Sequence, residues 1–177
     1  MRQPYVREYA KIKKLYKQAF PFKERKPFFL LKWQQRRGAG RFFAITGASD
    51  ELAGFAFTVS YKNSVLLDYL AIDPRRRGMG FGGKALSELK DAYSDKILVC
   101  EVEDPRDPDC ANVSQREKRL NFYAANGFIQ LQKLRVYGTG MLLLSSRGKV
   151  TFEEYGELIR RTNGRLILRL MNPKRTD

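Results

Sequence analysis

Leu70-Ala71-Ile72-Asp73-Pro74-Arg75-Arg76-Arg77-Gly78-Met79-Gly80-Phe81-Gly82 leads a strand into a turn, the turn into glycines and the glycines into a helix. Asp73-Pro74 stops the extended run, because proline has no N–H to give a sheet. Glycines let backbone N–H groups approach a ligand closely. The first turn of a helix carries unpaired N–H groups and the positive end of the helix dipole. Such a junction favours phosphate, and Arg77 adds a full charge beside it. The same residues also suit an ordinary glycine-rich strand–helix connection. No Gly-Lys-Ser/Thr follows, so this is not a P-loop. The preceding strand closes a meander and does not open a parallel unit, so it is not a clean dinucleotide fingerprint either.

Upstream of that junction, Tyr5, Tyr9, Ile12, Tyr16 and Ala19 recur at helical spacing, with Arg7, Lys11, Lys14 and Gln18 opposite. This predicts an amphipathic helix ending near Phe20-Pro21. A second helix is expected over Pro27 to Gln35, stopped by Gly38-Ala39-Gly40. Three strands follow, Arg41–Thr46, Leu52–Tyr61 and Val65–Ile72, joined by short turns as an antiparallel meander.

Downstream, the helix after the glycines runs to about Tyr93, with Ala85, Leu86, Leu89 and Tyr93 inward, and Lys96–Glu103 reads as a strand. Asp104-Pro105-Arg106-Asp107-Pro108-Asp109 cannot continue it. Ser114 and Glu117 form a capping-box pattern for a helix that Asn126-Gly127 ends. Phe128–Tyr137 and Met141–Ser145 read as a hairpin. In the tail, Thr151 and Glu154 form a second capping box, with Val150 and Tyr155 as a hydrophobic staple. Asn163-Gly164 is expected to end that helix. Leu166, Leu168 and Leu170 then alternate as a strand that pairs within the domain or with a second subunit, as in a homodimer. The whole reads as one α/β domain, residues 1–148, with 149–177 as its helix–strand extension.

The second chemical signal is Arg119-Leu120-Asn121-Phe122-Tyr123-Ala124-Ala125-Asn126-Gly127-Phe128. Taken alone, Tyr123 is a packed aromatic one turn before a glycine cap. Taken together, the two segments resemble the GNAT superfamily of N-acetyltransferases. That family's signature Arg/Gln-x-x-Gly-x-Gly/Ala is matched by Arg77, Gly80 and Gly82, and its Tyr-x-x-x-Gly-Phe helix end by Tyr123, Gly127 and Phe128. Leu67-Asp68-Tyr69-Leu70-Ala71-Ile72-Asp73-Pro74 looks like the family's fourth strand. The resemblance covers about four-fifths of the chain, from Val6 to Ser145, and implies a central mixed, mostly antiparallel sheet flanked by helices.

The resemblance also implies roles. Acetyl-coenzyme A would be the co-substrate. Its pyrophosphate would lie on the backbone of Arg77, Gly78, Met79, Gly80, Phe81 and Gly82, and its arm along Leu70, Ala71 and Ile72. The N–H of Ile72 would hydrogen-bond the thioester carbonyl. Tyr123 would give a proton to the departing thiolate, a fitting task for a phenol. Arg119 and Phe122 would border the coenzyme. Arg116 and Arg119 stand where the family often has Asn and Ala. They would reach the phosphates or, alternatively, pair with Glu117 or the acidic loop.

With no histidine in the chain, the proton of the incoming amine falls to a carboxylate. By two-residue alternation Asp68 shares a strand face with Leu66, Leu70 and Ile72, where a charge is costly unless paired. Glu101 and Glu103 share the face of Ile97 and Val99. Glu101 is the leading base or water-relay anchor, with Asp68 next. The alternative for each acid is simply to hold an arginine.

The 177 residues are 43% hydrophobic and 12% aromatic, enough for a real core. No apolar run approaches the ~18 residues of a membrane span, and the first residues lack the apolar stretch of a signal peptide. Cys100 and Cys110 read as reduced thiols of a cytoplasmic protein. No metal-ligand cluster is evident. Net charge is +15, and residues 1–41 hold 13 lysines and arginines against Glu8 and Glu24. Such a patch attracts anions. It leaves a second function open, an RNA- or ribosome-associated module, although no RNA-binding aromatic signature or zinc knuckle accompanies it. A coenzyme-binding domain without catalysis is a third. The amine acceptor, a small molecule, a protein N-terminus or a lysine, stays open.

Overall fold

The structure is a computed structural model and describes residues 1–109, 112–136, 138–171 and 174–175, with the backbone alone at Lys23 and from Asn163 onward. Cys110 lies outside the described residues. Among the described residues seven strands form one sheet in the order β1-β2-β3-β4-β6-β5-β7. They are β1 Gly40–Thr46, β2 Leu52–Tyr61, β3 Ser64–Ile72, β4 Ile97–Glu103, β5 Ile129–Val136, β6 Thr139–Ser145 and β7 Lys174–Arg175. The helices are α1 Tyr9–Ala19, α2 Phe28–Arg36, α3 Phe81–Ala92, α4 Val113–Ala125 and α5 Phe152–Met171. All pairings are antiparallel except β3 with β4.

Alternation along the strands divides the core between two faces. Leu86 and Leu89 of α3 and Tyr123 of α4 pack with Phe43, Ala56, Leu67, Leu98 and Cys100 on one face. On the other, Ile12, Leu15 and Tyr16 of α1 and Leu31 of α2 cover Phe42, Phe55, Phe57 and Tyr69. There Tyr155, Leu158 and Ile159 of α5 cover Leu66, Val99 and Leu143. Burying each such side chain contributes about 1.5–3 kcal/mol.

One irregularity shapes the middle of the sheet. Phe57 lies opposite Tyr69 and Thr58 opposite Leu67, so Asp68 is an extra residue in β3. A bulge bends its strand and increases its twist. The parallel pairing of β3 with β4 covers only Ser64 with Ile97, Val65 with Leu98 and Leu66 with Val99. Beyond that point β3 stays on β2 as far as Ile72, and β4 stays on β6 as far as Glu103. The sheet therefore opens as a fork whose apex is the Leu66–Val99 pair. The bulge also shifts the alternation. Leu70 packs with the α3/α4 core, whereas Leu66 and Tyr69 belong to the opposite face. The expectation that Asp68 shares a face with Leu70 and Ile72 fails for this reason.

Two other expectations are corrected. The Ser114–Glu117 capping box does not form. The N–H groups of Gln115 and Arg116 bond the Asn112 carbonyl at 3.1 Å each, and the helix starts earlier, at Val113. The strand expected at 165–170 is helix, since α5 continues past Asn163-Gly164 to Met171. Buried Tyr155, Leu158, Ile159 and Thr162 set a three-and-four spacing that Leu166 and Leu170 continue, so the helical period prevails over the two-residue one. The edge strand falls instead at Lys174–Arg175, against Leu134 and Arg135. The Thr151–Glu154 box does form: Glu154 N donates to Thr151 Oγ1 at 3.1 Å, and Thr151 N to Glu154 Oε2 at 3.2 Å.

Candidate active site

The fork leaves the inner edge of β3 without a strand partner. Asp73 N donates to Ala53 O on the β2 side at 2.8 Å. Alternate residues of a strand turn their N–H groups the same way. The amide of Ala71 therefore also faces β2, and those of Leu70 and Ile72 face the opening. Unpaired donors on an edge of this kind accept an extended ligand as an added strand.

The mouth of the fork meets the start of α3. Gly80 is its N-cap with φ +80°, and Gly78 has φ +77°, a region costly for residues with a Cβ. Lys84 N donates to Gly80 O at 3.0 Å, the first bond of the helix. The N–H groups of Phe81, Gly82 and Gly83 are therefore left without partners one turn back. Gly82 fits because a Cβ there would lie 3.1 Å from the Phe122 ring of α4. Arg77 and Met79 are exposed beside this cradle, and Arg77 Nε reaches Ile72 O at 3.4 Å. The residues present fit a diphosphate.

Tyr123 and Cys100 mark the apex on the α3/α4 side. Cys100 is the first β4 residue past the last β3–β4 pair, and the two side chains interact in one apolar cluster. Burial holds the Tyr123 phenol well above its ordinary pKa, and the Cys100 thiol is likewise pushed up by burial. Phe122 and Phe128 pack against the Tyr123 ring with centroids 5.2 and 5.3 Å away.

The acids lie differently. Lys26 Nζ donates to both Asp68 oxygens at 2.7 Å, and both side chains are largely buried. Two phenols pin this lysine's segment to the core. Tyr16 OH donates to Lys26 O at 3.0 Å and Tyr69 OH to Glu24 O at 2.9 Å. Burial raises the Asp68 carboxyl above the usual range, and Lys26 opposes that rise. Across the fork, Tyr155 OH of α5 donates to Glu101 Oε1 at 2.6 Å. Burial raises Glu101 too; the Tyr155 hydroxyl opposes the rise and the Asp68 charge adds to it. Tyr155 itself is raised by burial and by Glu101, so its proton stays available to the carboxylate.

Glu103 is paired by Arg116 at 2.9 Å and Arg119 at 3.3 Å, and Arg116 also donates to Asp104 O at 3.1 Å. Both arginines are thus engaged with the acidic strand end. The fork gathers Asp68, Glu101, Leu70, Ile72 and Tyr123, with the Arg77–Gly82 cradle at its mouth. Sequence reasoning missed Lys26 and Tyr155. Lys26 is one basic residue among many, and Tyr155 reads as a helix staple. Nothing local marks either as a partner of a fork carboxylate.

The sequence matches the sequence model of the acetyltransferase (GNAT) family over residues 9–128. YjbC of Bacillus subtilis (strain 168), an acetyltransferase by name, is 35% identical over 74 residues, a segment spanning 42% of this chain and 35% of YjbC. Among solved structures, a GNAT-family protein from Bacteroides thetaiotaomicron superposes with a TM-score of 0.72 at 23% identity, over 92% of this chain and 93% of that one. Spermidine N-acetyltransferase from Vibrio cholerae, solved with CoA and spermine, superposes with a TM-score of 0.65 at 14% identity, over 81% and 92%. At those identities the two structures share the fold. With the family match running from α1 through the forked strands to the end of α4, the chain belongs to the acetyltransferase (GNAT) family.

Proposed function

We propose that the chain is an N-acetyltransferase that moves the acetyl group of acetyl-coenzyme A to a primary amine of a small molecule, a protein N-terminus or a lysine. The observation that carries this reading is the fork itself. Strands β3 and β4 part beyond Leu66 and Val99, and the glycine-capped start of α3 lies at its mouth. The coenzyme supplies an acetyl group activated as a thioester. Chain residues do the rest. Phe81, Gly82 and Gly83 offer N–H groups and a helix dipole to the diphosphate, and Arg77 adds charge. The amides of Leu70 and Ile72 hold the extended arm, and one of them donates to the thioester oxygen as negative charge develops there. Glu101, directly or through a water, takes the proton of the attacking amine, and Asp68 keeps that side of the fork polar. Tyr123 returns a proton to the leaving sulfur, a contribution typically worth ~10²–10⁴ in rate.

We read residues 1–148 as the catalytic domain, 149–177 as an extension that builds onto its sheet, and the cytoplasm as its compartment. Among the described residues no helix is long and apolar enough to cross a membrane. Calorimetric titration with acetyl-coenzyme A, together with thiol release during turnover of an amine panel, tests the reading. Tyr123→Phe is expected to keep coenzyme affinity within a few-fold and lose turnover. Absence of coenzyme binding by the unaltered chain would overturn it.

A further inference from the structure

The acetyl-transfer reading leaves the basic N-terminal segment without a task, although the fold gives that segment a defined surface. Helix α2 buries Leu31 and Gln34 and turns Phe29, Lys32, Trp33, Arg36 and Arg37 to solvent. These five fall at three-and-four spacing, so they form one stripe. Phe29 is 69% and Trp33 51% exposed, and Phe22, in the segment between α1 and α2, is 85% exposed. Rings this open are a poor use of aromatic surface in a folded chain unless something covers them. Cations interleave with them: Arg37 lies 4.8 Å from the Trp33 ring centroid, Arg25 5.5 Å from that of Phe22, and Lys32 4.9 Å from that of Tyr9. Among the described residues none of Lys32, Arg36 and Arg37 meets a carboxylate. A hydrogen bond between Tyr9 OH and Gln35 sets α1 beside α2, so exposed Lys11, Lys13, Lys14 and Lys17 extend the positive field.

We propose that this stripe is a docking surface for a single-stranded nucleic acid, its bases stacking on Trp33 and Phe29 and its phosphates lying on Lys32, Arg36 and Arg37. Interleaved rings and cations suit a strand whose flat bases and charged phosphates alternate. A second copy of this chain fits poorly, because the stripe would face its own cations. An anionic membrane also fits less well. A helix lying in a lipid surface keeps its aromatic and cationic residues on different faces, whereas here they share one and the opposite face is in the core. Duplex nucleic acid offers phosphates but hides its bases. The surface begins three residues after Lys26, at the edge of the fork, and does not depend on the acetyl-transfer reading.

Trp33 is the only tryptophan in the chain, so its emission reports on the stripe directly. A 12-nucleotide oligouridylate should quench it. The same oligonucleotide carrying a fluorophore should gain anisotropy, with affinity falling about 20-fold between 50 and 200 mM salt if three phosphates are held. Trp33→Ala with Phe29→Ala should weaken binding about 10-fold or more, and neutralising Lys32, Arg36 and Arg37 to Gln should flatten the salt dependence. Coenzyme affinity of both variants, measured by calorimetry, is expected to match that of the unaltered chain and shows that they fold. The proposal is overturned by no binding at 50 mM salt. Binding of a duplex or of polyglutamate as tight as that of the single strand also overturns it, as does affinity indifferent to the two aromatic substitutions. Partition onto phosphatidylserine vesicles without oligonucleotide binding would assign the surface to membrane.

Discussion

Tyr155→Phe removes one oxygen and tests whether the C-terminal helix sets the chemistry of the fork. The Tyr155 ring is fully buried, so phenylalanine keeps its packing. What is lost is the 2.6 Å donation to Glu101 Oε1, a length typical of O–H···O⁻ bonds. Hydrogen bonds to charged groups are worth about 1.5–3 kcal/mol. That loss tilts the proton equilibrium of Glu101 towards the neutral acid by about 10- to 100-fold. Burial and the Asp68 charge already push Glu101 in that direction, so the variant deepens an existing bias. Measured as thiol release against pH, the acid limb of kcat/KM should move to higher pH. At neutral pH turnover should fall about 10-fold or more, and it should recover in alkaline buffer. Coenzyme affinity should not change, because Tyr155 lies on the face opposite the Tyr123 cluster. A pH profile that superimposes on the parent's, or a loss equal at every pH, would refute the coupling.

Glu101→Gln should cut turnover while leaving the fold as stable or more stable at neutral pH. A carboxyl raised in the folded state binds its proton more tightly folded than unfolded, so its contribution is present at low pH and lost as pH rises through the folded value. Thermal unfolding against pH should accordingly show a flatter decline for the variant as pH rises above the ordinary carboxylate range. Lys26→Met strips Asp68 of its ammonium and should cost about 3 kcal/mol near neutrality. The penalty should vanish in acid, where Asp68 is protonated, as urea unfolding at the two extremes would show. Gly80→Val forces a β-branched residue to φ +80°, and Gly82→Val drives a side chain towards the Phe122 ring. Both should weaken acetyl-coenzyme A in calorimetry by about 10-fold or more, and unchanged affinity would remove the cradle from the site.

The elements of this fold were legible in the sequence because each is specified locally. Helical spacing placed α1, flanking turn residues bounded β2, and Gly127 with its neighbours ended α4. The glycines of the cradle were legible for the same reason, since a positive φ at Gly80 is a property of one residue and its neighbours. The amphipathic reading of α5 stopped short at Asn163-Gly164, where two periods compete and only packing of Tyr155, Leu158 and Ile159 on the sheet chooses between them. The bulge at Asp68 was hidden because it exists only as a register between two strands, and with it went the face on which Asp68 lies.

Sequence alone thus carried the features by which the chain resembles an acetyltransferase: glycines before a helix, a helix tyrosine, and acids on strands with no histidine to compete. Tertiary structure alone decided how each acid is held. Asp68 meets Lys26 across 42 positions of chain, and Glu101 meets Tyr155 across 54, whereas Glu103 is taken by Arg116 and Arg119. The carboxylates are similar by type and alternation. They differ only in which donor the folded chain brings within hydrogen-bonding distance, and no local pattern encodes that distance.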